Sequence, residues 1–354
     1  MYKSIAVTGG AGFVGSTLAI ALKRDFPAAD VVAFDNLKRR GSELSLTRLQ
    51  TNGIRFLHGD IRCPEDVAAL GACEVMIECS AEPSVHAGYG DDPSYLLNTN
   101  LGGTINALEH ARRQGSTLIF LSSSRVYPIA PLRALPLRVT GERLTLAPDH
   151  KGEGWSAAGI SESFPLAGHR SLYGATKLAS ELLIEEYRVM YGIKAVINRC
   201  GVLTGPWQMG KVDQGVVVLW MARHVFGGVL NYMGFGGTGH QVRDILHVED
   251  LYAVIRLQMA AMDRHSGRIY NVGGGPDVSV SLRELTDWCV RISGRLTVVG
   301  TDHNTRDADV PYYVTDTTMV TKATAWTPKR SVENILLDIH AWLVNHRESV
   351  ERIF

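Results

Sequence analysis

The chain has no surplus of charge. Its 354 residues carry 36 Lys and Arg against 36 Asp and Glu, so no net field draws it to nucleic acid or to an anionic membrane surface, and neither is expected as a partner. Cysteine is scarce as well. Cys63, Cys73, Cys79, Cys200 and Cys289 form an odd, scattered set without a C-x-x-C pair. That excludes a disulfide framework and points to buried thiols in a reducing, cytoplasmic setting. The 12 histidines do not cluster with these cysteines, so no metal site is expected. His247-Val248-Glu249-Asp250 reads as a helix start. Apolar runs such as 216–222 are too short to span a bilayer. Tyr2-Lys3 leads straight into a strand, so no secretory leader is expected. Internal repeats and low-complexity segments are absent too. The length suits one large or two small domains with a sizeable core.

What is present is organised around Thr8-Gly9-Gly10-Ala11-Gly12-Phe13-Val14-Gly15. Ser4 to Val7 reads as a buried strand before it, and Ser16 to Lys23 as a helix after it. A strand, a glycine-rich turn and a helix N-terminus make an anion site for a pyrophosphate. In this reading Gly9 permits the tight turn, Gly12 lets the ligand approach, and Gly15 lets the helix pack on the strand. A glycine triplet by itself is a weak signal. Here a second strand, Val31 to Asp35, ends in a carboxylate twenty positions after Gly15, where a dinucleotide fold binds the adenosine ribose. Asp35 favours NAD, because its charge repels a 2′-phosphate. Lys38, Arg39 and Arg40 argue for NADP. The acid carries more weight, and NAD is the expected cofactor.

The elements then alternate. Ile54 to His58, Val75 to Glu78, Thr117 to Leu121 and Ala195 to Asn198 read as strands. Pro64 opens a short helix, and Leu172 to Met190 reads as a long one. After Pro93 a helix is expected with Leu101, Ile105, Leu108 and Ala111 on one face, ended by Gly115. Ser80-Ala81 forms a small-residue edge suited to close cofactor approach, and Asp60 is placed to reach the adenine amino group. This βαβα rhythm predicts an α/β fold with a doubly wound parallel sheet of the Rossmann type. The stretch from Ile129 to Arg170, with Pro128, Pro131, Pro136, Pro148 and Pro165 in or beside it, breaks the rhythm and reads as a long excursion near the active site. Residues 1–202 and 241–275 are expected to bind NAD. Residues 203–240 and 276–354 are expected to form a smaller, interleaved substrate domain.

Tyr173 and Lys177 lie four apart, on one helical face. A tyrosine is a poor base at its ordinary pKa near 10, and a neighbouring ammonium stabilises a phenolate. Such a pair can take a proton from a sugar hydroxyl while hydride leaves the same carbon. Ser122-Ser123-Ser124 stands at the carboxyl end of a strand, where ligands bind in such sheets. Ser123 is the candidate to hydrogen-bond the reacting hydroxyl.

Over almost its whole length the chain resembles the extended short-chain dehydrogenase/reductase family, which includes the nucleotide-sugar epimerases and dehydratases. The motifs that carry this are the glycine loop through Phe13 and Val14, Asp60-Ile61, Asn100 to Thr104, Ser122 to Tyr127, and Tyr173 with Lys177. Further on come Gly205-Pro206, Gln241 to Asp250, Asn271 to Gly274 and Trp326 to Pro328. The resemblance implies NAD held by the glycines, Asp35, Asp60 and Asn100, and a nucleotide diphosphate held by Arg243 and Arg306. Two guanidiniums suit a diphosphate, since each donates a fork of hydrogen bonds. It also implies a homodimer formed through the tyrosine helix and its neighbour.

Within the family, 4,6-dehydratases carry Asp-Glu where this chain has Ser124-Arg125, and without that acid water elimination loses its proton donor. The usual 4-epimerases carry asparagine at the position of Val202. The chain resembles the CDP-paratose (CDP-tyvelose) 2-epimerase group in Phe34-Asp35-Asn36-Leu37, His58 to Arg62, Arg125, Ser161-Glu162-Ser163, Asp213-Gln214-Gly215 and Gly239 to Asp244. It departs from that group at Ser123 and at Glu82 to His86. An epimerase acting through a transient keto-sugar is the reading these motifs imply, with Ser124, Arg125, Gln214, Arg243 and Arg306 on the substrate. A UDP-sugar 4-epimerase, a nucleotide-sugar reductase or dehydrogenase, and a non-catalytic dinucleotide sensor are the alternatives.

Overall fold

A computed structural model describes residues 2–147, 149–210 and 214–354. Pro148 and Asp213, both noted above, lie outside the described residues. The chain divides into two compact units, 1–126 with 171–199 and 251–270, and 127–170 with 200–250 and 271–354. Their extents differ from the two domains expected. The second unit takes in the excursion and the 241–250 motif, and so is comparable in length to the first.

The first unit is built on a seven-stranded parallel sheet. Its strands are β1 (Ser4–Thr8), β2 (Asp30–Asp35), β3 (Arg55–His58), β4 (Val75–Glu78), β5 (Thr117–Ser123), β6 (Ala195–Cys200) and β7 (Arg268–Val272), in the order β7-β6-β5-β4-β1-β2-β3. The order reverses at β1 and β4, which leaves a crevice at the carboxyl ends of these strands. Ile5, Val7, Val31, Ala33, Val75, Ile77, Leu118 and Phe120 are all buried, as near-continuous apolar runs in a doubly covered sheet should be. Helix α1 (Phe13–Asp25) buries Leu18, Ala19 and Leu22.

The helix after Pro93 departs from its expected phase. It runs as Ser94–Leu97, a π turn at Asn98–Gly102, and α2 (Gly103–Gln114), closed by Gly115 in the left-handed conformation. A π turn inserts a residue and rotates everything after it by about 100°. Leu108 and Ala111 are buried as expected, on a face shared with Asn100, Thr104 and Ala107, while Ile105, about 100° round the helix from Thr104, is 39% exposed.

The excursion is more ordered than its prolines imply. It holds a helix, Ile129–Arg133, and two antiparallel hairpins, Leu137–Thr140 with Arg143–Leu146 and Trp155–Ser156 with Gly159–Ile160. Gly141, at φ 59°, supplies the left-handed residue of the first turn. Pro128, Pro136 and Pro165 flank these pieces, and Pro131 falls inside the helix's first turn, where a missing N–H costs nothing. His247 closes the strand Val242–His247 and the next helix begins at Val248, as expected. Among the described residues no cysteine is in a disulfide, no group of side chains is arranged to hold a metal, and no helix is long and apolar enough to cross a membrane.

His247 is expected to make the second unit acid-sensitive. It is 4% exposed. Its Nδ1 accepts the Glu249 N–H at 3.2 Å, and its Nε2 lies 3.7 Å from Asp338. Asp338 is half exposed, so its attraction is screened. Burial, with the nearby Arg330 cation, pushes His247 down to about 4. The unfolded chain takes up this proton near pH 6.5, the folded chain only near 4. The stability is therefore fully present above pH 6.5 and is lost as pH falls towards 4. At about 1.36 kcal/mol per unit the loss reaches about 3 kcal/mol. Urea melts across this window should show a shallower decline in His247→Asn than in the wild type; equal slopes would place the acid sensitivity elsewhere.

Candidate active site

The glycine loop sits between β1 and α1. Gly9 has φ 61°, and a Cβ there would lie 2.9 Å from the Cys79 carbonyl oxygen. A Cβ at Gly15 would come within 2.2 Å of the Gly9 carbonyl oxygen. Gly15 thus seats the helix on the loop itself rather than on the strand. Gly12 caps α1 with no side-chain hydrogen bond. The first-turn N–H groups thus keep their donor capacity for an anion. This cradle fits a pyrophosphate.

Asp35 ends β2. Its carboxylate accepts the Ala11 N–H at 3.1 Å and the Leu37 N–H at 2.7 Å. Burial raises its carboxyl above the ordinary value, against these backbone donors. Asn36 donates to Asp60 at 3.0 Å, and Arg62 binds both Asp60 oxygens at 2.9 and 2.7 Å. Those bonds, the Arg62 bond foremost, hold Asp60 well below the usual carboxylate range. Asp60, Arg62, Pro64, Asn98 and Ile105 line a cavity of about 580 Å³. Ile61 is buried beneath it, against Gly103.

Asn100 lies in the π turn and clips the Glu82 backbone. Its Oδ1 accepts the Glu82 N–H at 2.8 Å and its Nδ2 donates to the Glu82 carbonyl at 3.1 Å. This two-point clip fixes the segment that follows Ser80-Ala81.

Ser123 ends β5, and its Oγ accepts the Arg125 N–H at 3.2 Å. Ser124 and Arg125 form the next turn. Tyr173 and Lys177 lie on α3 (Leu172–Tyr191), which is capped by Ser171 accepting the Gly174 N–H at 3.3 Å. Lys177 is 2% exposed. Its Nζ donates to the Leu121 carbonyl at 3.0 Å and stands 4.6 Å from the Phe120 ring centre. The lysine therefore ties α3 to β5, two residues before Ser123, while Tyr173 stays partly open one turn away.

Two buried acids in this region escaped the sequence reading. Glu78 pairs with Phe120 across β4 and β5, so both side chains share the face on which Lys177 sits. Its Oε1 accepts from Thr8 Oγ1 at 3.3 Å and from the Ser80 N–H at 3.1 Å. Its Oε2 has no hydrogen-bond partner among the described residues. Burial raises its pKa, and the Lys177 charge opposes that. Glu181, one turn beyond Lys177, accepts the Ser122 hydroxyl at 2.5 Å and a bidentate fork from Arg199 at 2.7 to 3.1 Å. The sequence signals were an acid closing an apolar strand and an i,i+4 acid on the face of Tyr173 and Lys177.

In the second unit, Arg243 lies on the strand Val242–His247. Its guanidinium donates to the Val242 and Val310 carbonyls at 2.7 and 2.6 Å. Arg306 donates to Asp309 at 3.3 Å. Both arginines thus border the loop 306–310. Gln214 is half-buried, just before Gly215 caps the helix Val216–Phe226.

Comparison with known proteins bears on the family and the fold. The family model described as NAD dependent epimerase/dehydratase family matches residues 5–273. A CDP-paratose 2-epimerase of Salmonella typhi is 30% identical over 96% of this chain and 98% of its own. A dTDP-glucose 4,6-dehydratase of Mycobacterium tuberculosis is 29% identical over 79% of this chain and 76% of its own. A UDP-glucuronic acid 4-epimerase of Bacillus cereus, crystallised with UDP-glucuronic acid and NAD, superposes with a TM-score of 0.77 at 22% identity, over 97% of this chain and 99% of that one.

Proposed function

Because the chain belongs to the NAD dependent epimerase/dehydratase family, we propose that it inverts one ring hydroxyl of a nucleoside-diphosphate sugar, at C2 of a CDP-linked sugar. NAD bound at the glycine loop, with Asp35 and Asn36, Asp60 and Ile61, and Ser80-Ala81 around it, supplies the acceptor and then the donor of a hydride. Tyr173 takes the hydroxyl proton and later returns it. Lys177 favours that transfer through its charge and also binds the nicotinamide ribose, and Asn100 helps to hold the cofactor. Ser123 orients the hydroxyl, and Arg243 and Arg306 hold the diphosphate, with Ser124, Arg125 and Gln214 toward the sugar.

The observation that carries this reading is Ser124-Arg125, directly after Ser123. No carboxyl stands there to protonate a leaving hydroxyl, so the keto-sugar is reduced again rather than dehydrated. The conservation of mass tests it. CDP-, UDP-, GDP- and dTDP-sugars deuterated at single ring carbons are expected to give one product of unchanged mass that keeps its label. Loss of water, gain of two hydrogens, or washout of the label into unlabelled NAD rejects the epimerase. A UDP-sugar inverted at C4 is the second reading, favoured by the departure of Glu82 to His86 from the CDP 2-epimerase pattern. Leu182, Val189 and Met190 stand largely exposed on α3, which supports a homodimer through this helix.

A further inference from the structure

Arg133 closes the short helix Ile129–Arg133 of the excursion. Its guanidinium donates to three carbonyls of one loop. Nε reaches the Asp309 oxygen at 2.9 Å, and Nη2 reaches those of Arg306 at 2.9 Å and Asp307 at 3.1 Å. Arg243 takes the next carbonyl, that of Val310, at 2.6 Å. Inside the loop the Asp309 N–H donates to the Arg306 carbonyl at 3.0 Å, and the Arg306 side chain lies on the Asp309 carboxylate. Arg133 and Arg243 therefore converge on residues 306–310, Arg306 folds back on the same loop, and all of these contacts lie within the second unit.

Four consecutive-range carbonyls turned toward two guanidiniums leave the loop little freedom. Arg133 is suited to this, because its planar fork fixes several acceptors at once where an ammonium is a single point charge. An arginine that must meet a diphosphate gains affinity when its backbone is held beforehand, since less freedom is lost on binding. Asp309 adds to this by holding the Arg306 Nε at 3.3 Å.

We propose that Arg133 is a positioning residue for Arg306. The excursion then acts as the brace of the diphosphate site, and Asp309 holds Arg306 until the diphosphate replaces its carboxylate. This rests on the nucleoside-diphosphate-sugar reading above.

Calorimetric titration of the full chain with CDP, UDP, GDP and dTDP tests the proposal without knowledge of the sugar. The wild type is expected to bind at least one of them. Arg133→Gln should weaken that nucleotide about tenfold, within the range of one charge-assisted hydrogen bond, with bound NAD and melting temperature unchanged. Arg133→Lys keeps the charge but not the fork, and should behave as the glutamine variant does. The double variant Arg133→Gln/Arg306→Ala should bind no more weakly than Arg306→Ala alone, because the brace acts only through Arg306. Additive losses, or full recovery by lysine, would overturn the proposal. If the wild type binds none of the four nucleotides, the functional reading itself falls and takes the brace with it, which separates the two failures.

Discussion

Tyr173→Phe is expected to remove turnover, by about 10²–10⁴-fold, the range for loss of a positioned acid–base group. NAD retention should stay within a few-fold. The phenol is partly exposed at the first turn of α3, and its deletion leaves no buried group without a partner. Lys177→Ala should differ in kind. It removes a buried cation bonded to the Leu121 carbonyl and leaves Glu78 buried with no opposing charge, so turnover and NAD retention should both fall. Steady-state assays beside extraction of bound nucleotide separate the two patterns. Near-normal turnover in Tyr173→Phe would remove the tyrosine as the base. Equal NAD retention in both variants would remove Lys177 from the cofactor site.

The second large effect is on stability. Glu181 and Arg199 are 3% exposed each and share a bidentate pair. A pair of this kind contributes little net stability against an apolar substitute, but breaking it strands a buried charge, at a cost of about 3–5 kcal/mol. Glu181→Leu should therefore destabilise the first unit by that amount, read from chemical denaturation. It should also loosen the end of β5, because Ser122 donates to the same carboxylate. Glu181→Leu combined with Arg199→Met should recover most of the loss. A double variant as unstable as the single one would show that shape, not charge, sets the cost. Glu181 lies one turn after Lys177 and holds Ser122, the neighbour of Ser123, so the test also reads how far the catalytic frame depends on it.

These residues divide by how their partners are specified. The glycine loop, the carboxylate of Asp35, the strand ends and the spacing of Tyr173 to Lys177 are local patterns. They follow from backbone sterics and from the periods of strand and helix, so they were legible along the chain. So was the parallel sheet, since alternating strands and helices close in few ways. The hairpin Leu137–Thr140 with Arg143–Leu146 was legible in part. Its turn glycine is in plain view, but the surrounding prolines drew the reading towards irregular structure.

Other features arose only when distant segments met. The π turn at Asn98–Gly102 breaks the helix before α2, although the apolar spacing looked regular, and Asn100 meets Glu82 there. Glu78 faces Lys177 because β4 pairs with β5 in one register, and a shift of one position would send it to the other face. Arg133 meets a loop 173 residues further along the chain. The sequence by itself determined the sheet, the phosphate cradle and the tyrosine–lysine pair, because each is encoded within a turn or two of backbone. The tertiary structure alone decided which buried charges oppose each other, and which arginine braces the loop of another. Those outcomes depend on register and on the cost of desolvating a charge without a partner, and neither is written in local spacing.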